Sequence, residues 1–171
     1  SAYEYLGWVY VHSGQFNKAA DTFSIALKLK PGFPSAIEGL GTTYARMGDH
    51  ARALSYFDSY LSRYPDTERV RSRRGWTRMY SGDYAGSSED FIHLLSHARQ
   101  PFVRQDALRG RGWSRYYQGN FEDALKDFEA ALPLIPASAK SGLQDTHRGR
   151  AFCLLGLKRD NEVLPLIDQA Y

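Results

Sequence analysis

The 171-residue sequence has little sulfur: one cysteine, Cys153, and two methionines. A single cysteine excludes an internal disulfide and any cysteine-based metal cluster. A reducing compartment fits that usage, with the cytoplasm slightly favoured, and an excised periplasmic domain would look the same. No apolar run of about 18 residues occurs, so no helical membrane span is expected. There is no initiator Met and no basic-then-apolar leader. The chain opens on Ser1 and stops at Tyr171 within a helical pattern, and it reads as a piece of a longer protein. Gly-rich phosphate loops, nucleophile elbows and paired catalytic acids are also missing. Catalysis is therefore not expected, and no cofactor is called for.

What remains is a folded composition, 43% apolar and 24% charged, with twelve tyrosines and three tryptophans. The formal charge of +3 is localised. Residues 1–67 balance at 6 basic and 6 acidic, 105–141 at 5 and 5, and 142–171 at 4 and 4. The excess lies in residues 68–104, with 7 basic against 4 acidic side chains.

Glycines recur at 7, 41, 75, 112 and 149, and again at 14, 48, 82, 119 and 156, with spacings of 34, 34, 37 and 37 in both series. Phenylalanines 23, 57, 91 and 128 follow the second series at a fixed offset of nine. Within each unit apolar residues recur at helical spacing on both sides of the second glycine: Leu6, Val9 and Tyr10, then Ala19, Phe23, Ala26 and Leu27. Gly14, Gly48, Gly82 and Gly119 mark the turn between two helices, where positive φ ends the first one. The earlier glycines sit mid-helix, at a cost of roughly 1 kcal/mol against Ala, bearable if they let the partner helix come close. Pro31, Pro65 and Pro136 end second helices.

This pattern resembles the tetratricopeptide repeat, and the resemblance covers essentially the whole chain. Copy one carries Tyr3, Leu6-Gly7, Tyr10, Ala19, Phe23, Ala26 and Pro31; copy two carries Ile37, Leu40-Gly41, Tyr44, Ala53, Phe57 and Pro65. The resemblance implies an all-α, right-handed superhelical solenoid of five antiparallel helix hairpins, with repeats near 1–33, 34–67, 68–104, 105–141 and 142–171. Such repeats are stable only when stacked. Copy five is degenerate, with Pro165 where Phe is expected, and copies four and five gain three residues each, expected at the helix starts after Pro101 and Pro136.

Copies three and four put arginines at core-type places: Arg74 and Arg78, Arg111 and Arg115. A buried arginine needs a partner. Only these copies carry Asp before the second-helix Phe, Asp90 and Asp127. Intra-repeat pairs, Arg74 or Arg78 with Asp90 and Arg111 or Arg115 with Asp127, are expected.

In the family the first helix of each hairpin lines the concave surface. In copy three Arg69, Arg73, Trp76 and Tyr80 are spaced 4, 3 and 4 residues apart, one continuous stripe. Copy four offers Trp113 and Tyr117 flanked by Arg109 and Tyr116, and copy one offers Trp8 and His12. These ten residues are the expected partner-binding groove, rich in hot-spot residue types. The expected function is a non-catalytic scaffold or adaptor that holds a protein or peptide, acidic or amphipathic, in that groove. The alternative is carbohydrate or polyanion binding through the same aromatics and arginines. Self-association through the solenoid ends is a third option, and nucleic acid is disfavoured. His93 and His97 share a helix face but lack a third ligand, so no metal site is expected. A clamp for the carboxylate tails of chaperones is disfavoured, because Glu4, Trp8 and Gly39 stand where basic residues would be needed.

Overall fold

The computed structural model describes residues 2–165. Among them the chain forms nine α-helices and no strand. It divides into two compact units, residues 1–81 and residues 82–171.

The first unit holds α1 (Ala2–His12), α2 (Phe16–Leu29), α3 (Pro34–Arg46), α4 (His50–Leu61) and α5 (Glu68–Ser81), each packed on the next. The second holds α6 (Tyr84–His97), α7 (Pro101–Tyr117), α8 (Phe121–Ala131) and α9 (Lys140–Gly156), with short 3-10 turns at Leu132–Leu134 and Asp160–Glu162. The tenth helix expected from the repeat would begin near residue 158; the short 3-10 turn Asp160–Glu162 lies in that stretch, and its remaining part, residues 166–171, is outside the described residues. The extra residues of copies four and five lie in long first helices, since α7 and α9 each run 17 residues.

Turn chemistry explains where the helices stop. Gly14, Gly48, Gly82 and Gly119 have φ between 73° and 88°, the left-handed region that side chains resist. Asp49 and Asp83 then start α4 and α6 by accepting the backbone N–H of Arg52 and Gly86, a standard N-cap arrangement. In copy five the positive φ falls on Lys158, two residues after Gly156. Gly156 instead closes α9, where a side chain would run into the Phe121 ring.

The cores are built on one device. Phe23, Phe57, Phe91 and Phe128 are all fully buried, and each ring lies against helix backbone left bare by glycine. Phe23 fits between Gly7 of α1 and Gly39 of α3, and Phe128 between Gly112 of α7 and Gly149 of α9. Each buried ring contributes on the order of 1.5–3 kcal/mol, which outweighs the helix cost of a glycine. Around Phe23 gather Val11, Ala19, Ala26, Ala36 and Leu40; around Phe57, Ile37, Ala53, Tyr60, Leu61 and Val70.

Of the arginines at core-type places, Arg74, Arg111 and Arg115 are paired with carboxylates. In the second unit Arg111 donates to both oxygens of Asp127 at 2.9 and 2.6 Å, and Arg115 adds a third bond at 2.8 Å. Asp127 is buried, so this carboxylate is satisfied by two guanidiniums, as the joint occurrence of Arg and Asp predicts. In the first unit Arg74 reaches back to Asp58 of α4 at 2.7 Å.

Candidate functional site

In the first unit the helices α1, α3 and α5 carry three stripes: Glu4, Trp8 and His12; Glu38, Thr42 and Arg46; Arg69, Arg73, Trp76 and Tyr80. Spacings of three and four place each set on one helix face. Contacts join the stripes. Arg73 donates to Glu38 Oε1 at 2.8 Å and to Thr42 Oγ1 at 2.6 Å, and its guanidinium lies 5.5 Å from the Trp8 ring centroid. Arg69 donates to the other oxygen of Glu38 at 2.6 Å. Thr42 stands in register with Trp8 and Trp76, and its small side chain lets Arg73 span from α5 across α3 to α1.

Glu38 is 2% exposed, and burial pushes its carboxyl above the usual range against the pull of Arg73 and Arg69. Burial likewise draws Arg73 down, with the like charges of Arg69 and Arg46 adding to it while Glu38 opposes. The Trp8 indole N–H donates to Ser35 Oγ at 3.3 Å, and a hydrogen bond from Ser35 holds the Glu4 carboxyl below its usual range. Two clefts flank Trp8. One, of about 410 Å³, includes Phe33, Ser35, Glu38, Tyr60 and Arg69 in its lining; the other, of about 580 Å³, is lined by Tyr5, Trp8, Val9, His12 and Ser13.

The structure brings Trp8, His12, Arg69, Arg73, Trp76 and Tyr80 onto the face that α1, α3 and α5 form. His12 is exposed beside Trp8, at 6.4 Å between centroids. Tyr80 is 66% exposed and stacks on Trp76 and His50. Trp8 and Trp76 are half-buried. The sequence alone did not mark Glu38. Its signal was a lone acid in the apolar run "AIEGLG", where a buried charge demands partners.

In the second unit one expectation needs correction. Trp113 is not an open ring: it is 5% exposed. Its indole N–H donates to Asp145 Oδ2 at 3.1 Å, the Arg148 guanidinium lies 5.4 Å from its ring centroid, and Phe128 and Phe152 meet it edge-on. Residues of α9 seal it, and no pattern within α7 announces that. Arg109 is also committed, donating to Asp145 at 2.6 Å. Tyr116 is half-buried against Phe121 and Phe152. Tyr117 stays 52% exposed and stacks on Tyr84 at 5.1 Å.

His93 and His97 stack at 4.3 Å, yet no group of three metal-ligating side chains occurs among the described residues. Cys153 is fully buried, and its thiol is pushed up to about 12 by that burial, which makes it a poor nucleophile. No helix among the described residues is long and apolar enough to cross a membrane.

Family models described as tetratricopeptide repeat match residues 3–68 and residues 105–137, together more than half of the chain. The chain belongs to the tetratricopeptide repeat family. The chloroplast tetratricopeptide repeat domain-containing protein PYG7 of Arabidopsis thaliana is 33% identical over 72 residues, 42% of this chain and 24% of that protein. The chain spans about a quarter of the length of the curated relatives it matches. Among solved structures, MamA from Desulfovibrio magneticus RS-1 superposes with a TM-score of 0.85 at 15% identity, over 99% of this chain and 91% of that one. A tetratricopeptide repeat protein from Parabacteroides merdae gives 0.80 at 17% identity, over 98% and 62%. At such identities the likeness is one of fold, a helical tetratricopeptide solenoid. Members of this family are in general non-catalytic scaffolds that bind protein partners, and the repeats of this chain support a protein-interaction role.

Proposed function

We propose that this tetratricopeptide repeat scaffold holds a peptide or helix of a partner protein on the faces formed by its first helices. In the first unit the contacts are Trp8, His12, Arg69, Arg73, Trp76 and Tyr80. In the second unit Tyr117 supplies an exposed ring and Tyr116 a half-buried one, while Arg109 and Trp113 act from beneath as support.

The observation that carries this reading is the reach of Arg73. One guanidinium engages Glu38 and Thr42 of α3 and lies beside Trp8 of α1. Side chains of three successive first helices thus meet on one face, and that face mixes flat rings with fixed charges. Tryptophan, tyrosine and arginine give the largest losses when truncated at interfaces, and arginine fixed by a carboxylate has less freedom to lose on binding.

The test is affinity capture from a source lysate with the wild-type chain and with an Arg69→Ala, Tyr80→Ala double variant. Both residues are largely exposed, so the variant keeps its helicity by circular dichroism. Loss of the captured partner with helicity intact is the expected result. Undiminished capture overturns the assignment of this face.

A further inference from the structure

On a second helix, the last turns of α6 bring two imidazoles together. His93 and His97 are four residues apart, so helical geometry sets them one above the other on a single face. Their rings stack with centroids 4.3 Å apart and planes 25° from parallel. Both reach solvent: His97 is exposed and His93 half-buried. The His97 Nδ1 lies 2.9 Å from the backbone carbonyl of His93. A carbonyl only accepts, so Nδ1 carries the proton and the lone pair of the neutral ring sits on Nε2. Backbone carbonyls orient metal-ligating histidines in the same way.

Two further properties suit a metal ion. His97 is the final residue of α6, and a helix C-terminus carries roughly half a negative charge, which attracts a cation. An ion held about 2.0–2.1 Å from two imidazole nitrogens demands rings a few ångströms apart, and the stack supplies them. No third protein ligand joins the pair among the described residues, so the remaining coordination positions go to water.

We propose that His93 and His97 form an open, two-imidazole site for a divalent late transition-metal ion. Copper(II) binds it most tightly and zinc(II) less so, the usual order of affinity for nitrogen ligands. Hard, oxygen-seeking ions such as magnesium do not match the donors. The bound ion clips the last turns of α6, and because it binds the folded helix it stabilises the protein by mass action. The site shares no residue with the proposed partner-binding surfaces, so it stands or falls independently of that reading.

The test uses the full chain without an affinity tag, stripped of metal by a chelator, with copper(II), zinc(II) and magnesium added separately. Calorimetry is expected to give one copper ion per chain, weaker zinc binding and no magnesium binding. Electron paramagnetic resonance of the copper form should show two nitrogen ligands. His93→Gln and His97→Gln should each weaken copper binding by at least about tenfold, because either change removes the intramolecular second ligand. Each should also remove the metal-induced rise in melting temperature while keeping wild-type helicity by circular dichroism, since neither ring is part of the core. His12→Gln serves as the control and should bind copper like the wild type. Copper binding that survives both α6 substitutions overturns the site. So does a copper signal with a single nitrogen, a magnesium response equal to that of copper, or an equal loss in His12→Gln.

Discussion

The ring of Phe23 occupies the notch that Gly39 leaves in α3, so close that a Cβ built on Gly39 would fall 2.5–2.6 Å from its ring-edge carbons. Contacts that short do not survive, and something must move. Phe23 is fully buried and is pressed from the other side by the backbone at Gly7, so it has no room to yield.

Gly39→Ala should therefore destabilise the protein by about 1–3 kcal/mol, the usual cost of overpacking a core. Helix propensity alone says the reverse, since Ala is favoured over Gly by roughly 1 kcal/mol. Gly142 of α9 provides the contrast. Its Cβ would meet Ile135 at an ordinary 3.6 Å, and Gly142→Ala should stabilise by about 0.5–1 kcal/mol. Urea unfolding of the two variants decides the matter, and opposite signs are expected.

Trp113→Ala should behave as a core truncation. The ring is packed by Phe128, Phe152 and Arg148, and its N–H is spent on Asp145. A loss of about 3–5 kcal/mol is expected, seen as an earlier thermal transition. An unshifted melt would mean that the ring is not enclosed in solution.

His147 supplies a pH dependence. Burial, and then the charge of Arg150, lower its pKa below the usual value, and its Nδ1 is buried without a partner among the described residues. The folded state disfavours the charged imidazole, so the stabilising effect is present above the unfolded value near 6.5. It is lost as pH falls through the depressed folded value. A thermal melt taken at pH 7 and pH 5 should show a smaller acid-induced drop in His147→Gln than in the wild type. Equal drops in both proteins would count against this assignment.

Much of the fold is legible from spacing. Two glycine series and the phenylalanine nine residues after each turn glycine place every described helix. Four of the five turns carry positive φ on the marked glycine. The exception, Lys158, is where copy five drifts from its own register. The pairing of Arg111 and Arg115 with Asp127 is legible too, because a buried arginine must bring its acid with it. The candidate site is only half legible. The stripes of α1 and α5 follow from helical periodicity, but Glu38 as their anchor and Asp145 as the partner of Trp113 do not.

Leu6 and Leu40 show why. They hold the same place in the repeat, yet Leu6 is 40% exposed and Leu40 only 1%. By itself the sequence determined which residues are helical, where each helix turns, and which face a side chain shares with its neighbours three and four positions away. Those are short-range consequences of backbone geometry and hydrophobic period. Only the tertiary structure decided what covers a side chain once it reaches that face. α9 closes over Trp113, while Trp8, in register with it, stays half open beside Arg73. Enclosure depends on side chains about 35 residues distant, and no local spacing encodes them.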